Sequence, residues 1–175
     1  GFLGLLHMEI VQERLDREFG VDIITTLPNV EYHVILKDGT EAKVENPSHL
    51  PDLGSYDAIL EPYVAAQIYT PKEYVGAIMK LAEEKRGIFD TMDYIDEEKV
   101  NLKYEFPLGE TMFDFYDTLK SISKGYAGFD YEPTEYKKSD LIKLDVMLNG
   151  EAIDAFSVIM HREKAYYRGN ALCGK

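Results

Sequence analysis

Tryptophan is absent from this 175-residue sequence, cysteine occurs once, and cations are scarce: 19 Lys and Arg stand against 32 Asp and Glu. The lone Cys173 excludes an internal disulfide framework and makes a cytosolic compartment the default expectation. No apolar run approaches the ~20 residues of a membrane-spanning helix. No charged-then-apolar leader pattern marks the chain for secretion. The net charge of −13 excludes a protein that holds nucleic acid by a general cationic field. What remains is ordinary for a soluble globular protein: 45% hydrophobic and 29% charged residues, enough for one medium or two small domains.

The acid is unevenly spread. From Ala155 onward, Arg162, Lys164, Arg168 and Lys175 stand against Glu163, a local balance of +3 that leaves −16 on the 154 residues before it. An acidic body with a basic end can still touch RNA through that end, and a solvated surface with a chance cluster is the plainer alternative.

The chain opens in mid-pattern, with no initiating Met, and reads as a piece of something longer. Leu3, Leu6, Ile10, Val11, Leu15 and Phe19 recur at helical spacing, charges fill the other face, and Gly20 sits where a helix-ending glycine belongs. Residues 21–27 are β-branched and read as a strand stopped by Pro28. Asp38-Gly39 between two apolar runs predicts a hairpin, and 46–54, with two prolines and Gly54, predicts a junction. A stripe and strand lacking their usual sheet partners should pack abnormally, pair with a second copy or stay poorly ordered.

From residue 60 the pattern is regular. A strand over 63–69 leads to Thr70-Pro71-Lys72-Glu73, a capping-box start for a helix buried through Tyr74, Val75, Ile78, Met79 and Leu81 and ended by Gly87. Strands over 88–95 and 100–106 flank the acidic turn at 96–98, and Pro107 breaks the second. A helix over 110–123, buried through Met112, Phe113, Tyr116 and Leu119, precedes Gly125 and a strand from Tyr126. Strand, helix, strand, strand, helix, strand is the split βαβ order, an α+β ferredoxin-like fold with two helices on one sheet face. Beyond 137–139, a strand over 141–147 turns at Asn149-Gly150 into a partner over 152–160.

These residues together resemble the LepA family of translational GTPases, also called elongation factor 4. The resemblance is carried by 1–19 with its Leu-His-Met-Glu helix, Thr25-Thr-Leu-Pro-Asn-Val30, Asn46-Pro-Ser48 and Glu61-Pro62. Lys85-Arg-Gly87, Ser121-Ile-Ser-Lys-Gly-Tyr-Ala127, Asp130-Tyr131 and His161-Arg-Glu-Lys-Ala-Tyr-Tyr-Arg-Gly169 complete it. It implies that residues 1–59 are the end of a third domain with hairpin and linker. Residues 60–139 would be the ferredoxin-like equivalent of elongation factor G domain V, and 140–175 the truncated start of the family's C-terminal domain. It further implies a ribosome-binding module, with ribosomal RNA and tRNA as partners, that acts on the tRNA arrangement of elongating ribosomes, in back-translocation or fidelity. The implied location is cytoplasmic and ribosome-associated, with the membrane's inner face also possible for the family. GTP and Mg²⁺ would belong to the longer protein: no Gly-x-x-x-x-Gly-Lys-[Ser/Thr] run occurs here, so this chain is expected to have no cofactor and no catalysis of its own.

The candidate RNA contacts are Lys85, Arg86, Lys120 and Lys124 at helix ends, with His161, Arg162, Lys164, Tyr166, Tyr167 and Arg168 near the chain's end. Cations at a helix carboxyl end also stabilise it by ~0.3–1 kcal/mol, and tyrosines stack on bases or pack a helix with equal ease. His7, Glu9 and Glu13 lack metal-site spacing, and Glu110, Asp114 and Asp117 read better as a solvated helix face than as paired catalytic carboxylates. A small-molecule regulatory module is the rival reading, because split βαβ folds host both roles.

Overall fold

The computed structural model describes residues 5–21, 30–112, 114–145, 147–148, 151–152 and 157–166. Helix α1 (Leu5–Phe19) ends as its sequence demands: Gly20 takes φ +63° and its amide bonds the Asp16 carbonyl at 2.8 Å. Its expected stripe is poorly covered, with Ile10 48% and Phe19 69% exposed and Val11 and Leu15 half-buried. Leu3, the Leu6 side chain and the strand expected over 21–27 fall outside the described residues, Val21 excepted.

Strands β1 (Tyr32–Leu36) and β2 (Glu41–Val44) form the expected hairpin. Gly39 turns at φ +83°, and the Asp38 carboxylate accepts from both the amide and the hydroxyl of Thr40. A 3₁₀ turn over Pro47–His49 follows, capped by the Asn46 side chain. Strand β3 (Tyr56–Pro71) is then the spine of the molecule. Its first part pairs with β1, and its later part pairs along the same edge with β5 (Lys99–Pro107). Along its other edge β6 (Gly128–Ser139) pairs almost throughout. The expected division at 59/60 therefore falls inside a continuous strand. Pro62, just before the strand expected over 63–69, lies inside β3 and is accommodated by a register shift against β6.

The second unit has the expected order: β3, α2 (Val75–Glu84), β4 (Ile88–Tyr94), β5, α3 (Leu108–Thr111) with α4 (Phe115–Ile122), then β6. The sheet runs β6, β3, β5, β4, all antiparallel, which is the ferredoxin-like arrangement. Val64, Ala66, Ile68, Val100, Leu102, Tyr104 and Phe106 alternate onto one sheet face and meet Ile78, Leu81 and Ala82 of α2 and Phe115 and Leu119 of α4. Phe106, Phe115 and Phe129 form a chain of rings 5.0 and 4.9 Å apart.

Several local expectations are corrected. Thr70 caps nothing; its hydroxyl bonds the Pro71 carbonyl, and a 3₁₀ turn over Lys72–Tyr74 leads into α2. Met79 and Tyr116, expected inside, are 41% and 42% exposed, while Ala82 and Phe115 are buried in the core. The second helix is broken in two: the Thr111 hydroxyl bonds back to the Leu108 carbonyl and α4 restarts after Asp114. Phe113 lies outside the described residues.

Strands β7 (Leu141–Leu144) and β10 (Val158–His161) pair antiparallel, as do β8 (Met147–Leu148) and β9 (Glu151–Ala152); the turn expected at Asn149-Gly150 lies outside the described residues. Leu141 joins Val34, Val44, Leu50 and Ile59 in a second core, with Ile159 packed against it. The third segment thus starts on the first unit.

Gly87 does not supply the turn after α2. That residue is Arg86, at φ +57°, and Gly87 is needed because a Cβ there would meet Phe106 Cε1 at 2.4 Å and the Ala82 carbonyl at 2.9 Å. Gly87→Ala should therefore destabilise the chain by about 1–3 kcal/mol, read as a lower urea midpoint; an unchanged midpoint would contradict this packing.

Candidate functional site

The ferredoxin-like unit has two poles, and the same device builds both. Helix α2 ends in a Schellman turn, with the Gly87 amide on the Ala82 carbonyl and the Arg86 amide on the Glu83 carbonyl. Helix α4 ends identically, Gly125 on Lys120 and Lys124 on Ser121. In each, a cation occupies the left-handed position where glycine is usual: Arg86 at φ +57° and Lys124 at φ +51°. A left-handed L-residue costs roughly 1–2 kcal/mol, so both side chains are aimed at some backbone expense. Because α2 and α4 follow opposite ends of paired strands, the two turns lie at opposite ends of the sheet.

The Arg86 pole is closed. Its guanidinium grips Glu61 of β3 with two hydrogen bonds, 2.6 and 2.9 Å, and reaches Glu110 of α3 at 3.1 Å. Lys164 covers the other Glu110 oxygen at 2.6 Å. Glu61 is only 3% exposed, so this is a buried carboxylate whose charge is met in the bidentate geometry arginine offers. Burial works against the Arg86 charge, but the Glu61 hydrogen bonds and the Glu61 and Glu110 charges outweigh it and hold its pKa above the ordinary value. Lys85 beside it is paired with Asp114 at 2.5 Å, and that hydrogen bond holds the Asp114 carboxyl below its usual range. Tyr32 of the hairpin faces the same pole; burial first, then the nearby Glu61 charge, pushes its hydroxyl up to about 12.

The Lys124 pole is open. Lys124 is exposed and has no side-chain partner among the described residues. Tyr126 is 69% exposed and stacks on the buried Tyr74, rings 6.3 Å apart. Lys120 donates to the Gly125 carbonyl at 3.3 Å and lies 5.4 Å from the Tyr116 ring. The turn is held from below by Ser123, wholly buried, whose hydroxyl donates to the Leu119 carbonyl and accepts from the Ala127 amide. Cations and exposed rings on a fixed turn can pair with phosphate and stack on a base.

The remaining candidates do not join either group. His161, at the end of β10, is half-buried with Nδ1 4.0 Å from Glu163. Arg162 is clamped on Asp140 at 2.8 and 3.1 Å, and Tyr166 is 72% exposed within residues 162–166, which are helical. Tyr167 and Arg168 lie outside the described residues. Sequence reasoning missed Tyr126, which reads as a strand start, and put Tyr116 in the core; the adjacent Lys124-Gly125 was the signal that Tyr126 sits on a turn. Glu110 and Asp114 serve as ion-pair partners, as above.

Two hollows stand out among the described residues. One, of about 600 Å³, lies on the helix-free sheet face between Gln67, Lys103, Glu105, Asp130 and Glu132. The other, about 360 Å³, lies at the seam of β3, β6 and β7, where Asp140 and Arg162 pair with each other. In the first, Lys103 and Glu105 are already paired, with Asp93 and Lys137, and the acids that remain, Asp90, Asp130 and Glu132, are exposed and of one sign, which is not the convergent mixed set of polar groups the small-molecule reading calls for. No cluster of metal-ligating side chains and no helix long and apolar enough to cross a membrane occurs among the described residues.

A family model described as the elongation factor G C-terminus matches residues 58–147. Over all 175 residues the chain is 59% identical to elongation factor 4 of Chlorobaculum tepidum, 61% to that of Chlorobium phaeobacteroides strain BS1 and 57% to that of Latilactobacillus sakei. It spans 29% of the length of each. A crystal structure of a Thermus thermophilus protein superposes with a TM-score of 0.58 at 16% identity, over 77% of this chain and 33% of that one, a likeness of fold.

Arg86→Met strands the Glu61 carboxylate in the interior and should cost about 3–5 kcal/mol; Arg86→Met with Glu61→Leu should recover much of it. Urea titration of both variants measures this, and equal losses would contradict it. Tyr32 binds its proton more tightly folded than the ordinary value of 10 allows. The stability it contributes is therefore complete below pH 10 and lost as pH rises through about 12. Phenolate absorbance should show a late step near 12, beyond the smaller rises that burial gives Tyr63, Tyr74, Tyr104 and Tyr136, and Tyr32→Phe should remove it.

Proposed function

Because this chain belongs to the elongation factor G C-terminus family, in its elongation factor 4 group, we propose that it is a ribosome-binding part of a translational GTPase. Its work is positional: a rigid unit that places a few cations and rings on folded RNA recognised by shape. The observation that carries the reading is the open pole, where Lys124 is held in a strained backbone conformation with its charge unpaired and Tyr126 stands beside it. The equivalent Arg86 satisfies its charge inside the protein; Lys124 is left for a partner.

On this reading the RNA contacts divide by chemistry. Lys120, Lys124 and Tyr126 carry the binding, with Tyr116 at its margin. Lys85, Arg86 and Lys164 hold the sheet's other end together, and Arg162 trades its contact with Asp140 for RNA only at a cost. His161, Tyr166, Tyr167 and Arg168 stay candidates for a second, weaker contact. With −13 net charge the chain is repelled by RNA at distance, so affinity depends on short-range pairing, and its fall with salt is the modest one set by the two lysines that meet phosphate. GTP and Mg²⁺ would be held by parts of the longer relatives that this chain does not span, and tRNA rearrangement on the elongating ribosome, in back-translocation or fidelity, would be the outcome in which it assists. The location is cytoplasmic on ribosomes, with any membrane contact peripheral, and self-association through the uncovered α1 stripe would compete with function.

Sedimentation of the chain with 70S ribosomes over a salt series tests the site. Lys120→Ala with Lys124→Ala should lower the slope of log affinity against log salt by about 1 per cation removed. Tyr126→Ala should weaken binding by ~1–3 kcal/mol with the slope unchanged. Arg162→Ala with Lys164→Ala should have the smaller effect. Binding that ignores the first set and follows the second would move the site to the chain's end.

A further inference from the structure

Strand β4 is the last in its sheet, and its outer backbone edge has no partner among the described residues. Every residue of it is exposed. An unprotected edge is ordinarily kept short or studded with lysine and proline, because its free N–H and C=O groups template pairing. This one carries neither, and its only guards are the register shift at Asp90 and its acids. Instead Ile88, Phe89, Met92, Tyr94 and Ile95 are 37–65% exposed along it, an apolar concentration of the kind that marks an interaction surface.

Charge decides what can sit there. Residues 88–98 contain Asp90, Asp93, Asp96, Glu97 and Glu98 and no Lys or Arg. Asp96 is used within its own turn, accepting from the Glu98 and Lys99 amides, and Asp93 pairs with Lys103 at 2.8 Å. Asp90 stands at the register shift between Phe89 and Thr91, on the edge itself. A second copy would bring five acids against five, and RNA would bring phosphate to carboxylate. Only an extended, cationic protein segment gains from both features: main-chain bonds to the open edge, and lysine or arginine side chains over the Asp carboxylates and the Phe89 and Tyr94 rings. The Tyr94 ring already accepts a cation, with Lys72 Nζ 5.0 Å from its centroid.

We propose that β4 is a docking edge for a lysine- or arginine-rich protein segment, which adds to the sheet as a further strand beside it. This surface is separate from the Lys124 pole and stands whether or not that pole binds RNA. The acids serve as a filter: they discourage pairing between copies while leaving the edge open to a strand of opposite charge.

The test is amide hydrogen exchange on the full chain with an acetylated, amidated peptide Val-Lys-Val-Arg-Val-Lys-Val. The same peptide with Glu in place of its cations, and a cationic version with alternate valines replaced by proline, serve as controls. The expected result is slowed exchange confined to 88–95 with the first peptide alone, and affinity about tenfold or more weaker for Met92→Lys with Tyr94→Lys. Asp90→Lys, on an exposed position, provides an independent variant should the pair fail to fold, and should weaken binding in the same direction. Equal protection by the acidic or proline-containing peptide, no protection at all, or concentration-dependent self-association through 88–95 would overturn the proposal.

Discussion

The Arg86–Glu61 pair is the constraint on which the arrangement of this molecule depends. A carboxylate 3% exposed on the spine strand tolerates no loss of its partner, because an unpaired charge in that position is worth several kcal/mol against folding. Arg86 answers it with two parallel hydrogen bonds and still has Nε free for Glu110, which in turn holds Lys164. Four side chains from β3, the end of α2, α3 and the helical residues 162–166 thus form one neutral network. It ties the ferredoxin-like unit to the third segment at one point, while Tyr32 brings the first hairpin against the same point. The spine strand does the rest, since β1 and β5 share one of its edges end to end.

That network also sorts the surface. Helices α2 and α4 end in the same hydrogen-bonded turn with a cation in the same strained conformation, so their sequences look interchangeable. Their surroundings are not. Around Arg86 stand two carboxylates that consume its charge; around Lys124 stand solvent, an exposed ring and a buried serine that fixes the turn. A site that must bind a partner without disturbing the fold belongs at the end where no internal contact would be broken. The opposite edge of the sheet, at β4, follows a different logic, with apolar side chains and acids that select for another kind of partner.

Much of this was legible in the residues. The β-α-β-β-α-β order followed from Pro, Gly and alternating apolar positions between 60 and 139, and Asp38-Gly39 placed the first hairpin. The family was legible too, because its motifs run through the chain in order. Three things were not. Strand β3 is more than twice as long as the run expected over 63–69, because its pairing continues past Pro62 through a register shift that no sequence pattern announces. Thr70 and Glu73 spell a capping box, yet the strand continues through Pro71 and a 3₁₀ turn intervenes. Lys85, Arg86 and Lys164 read as available cations because their partners, Asp114, Glu61 and Glu110, lie 29, 25 and 54 residues away in the chain. Sequence spacing reports which charges exist, and only the fold reports which are already spoken for.

Lysine acetylation footprinting of the chain alone and on 70S ribosomes shows whether one end of the ferredoxin-like unit is sealed and the other free to bind. Lys120 and Lys124 should react readily in the free chain and become protected on the ribosome, while Lys85 and Lys164 react slowly in both. Protection appearing at Lys85 or Lys164, with Lys120 and Lys124 unchanged, would mean that the sealed end is the one that binds.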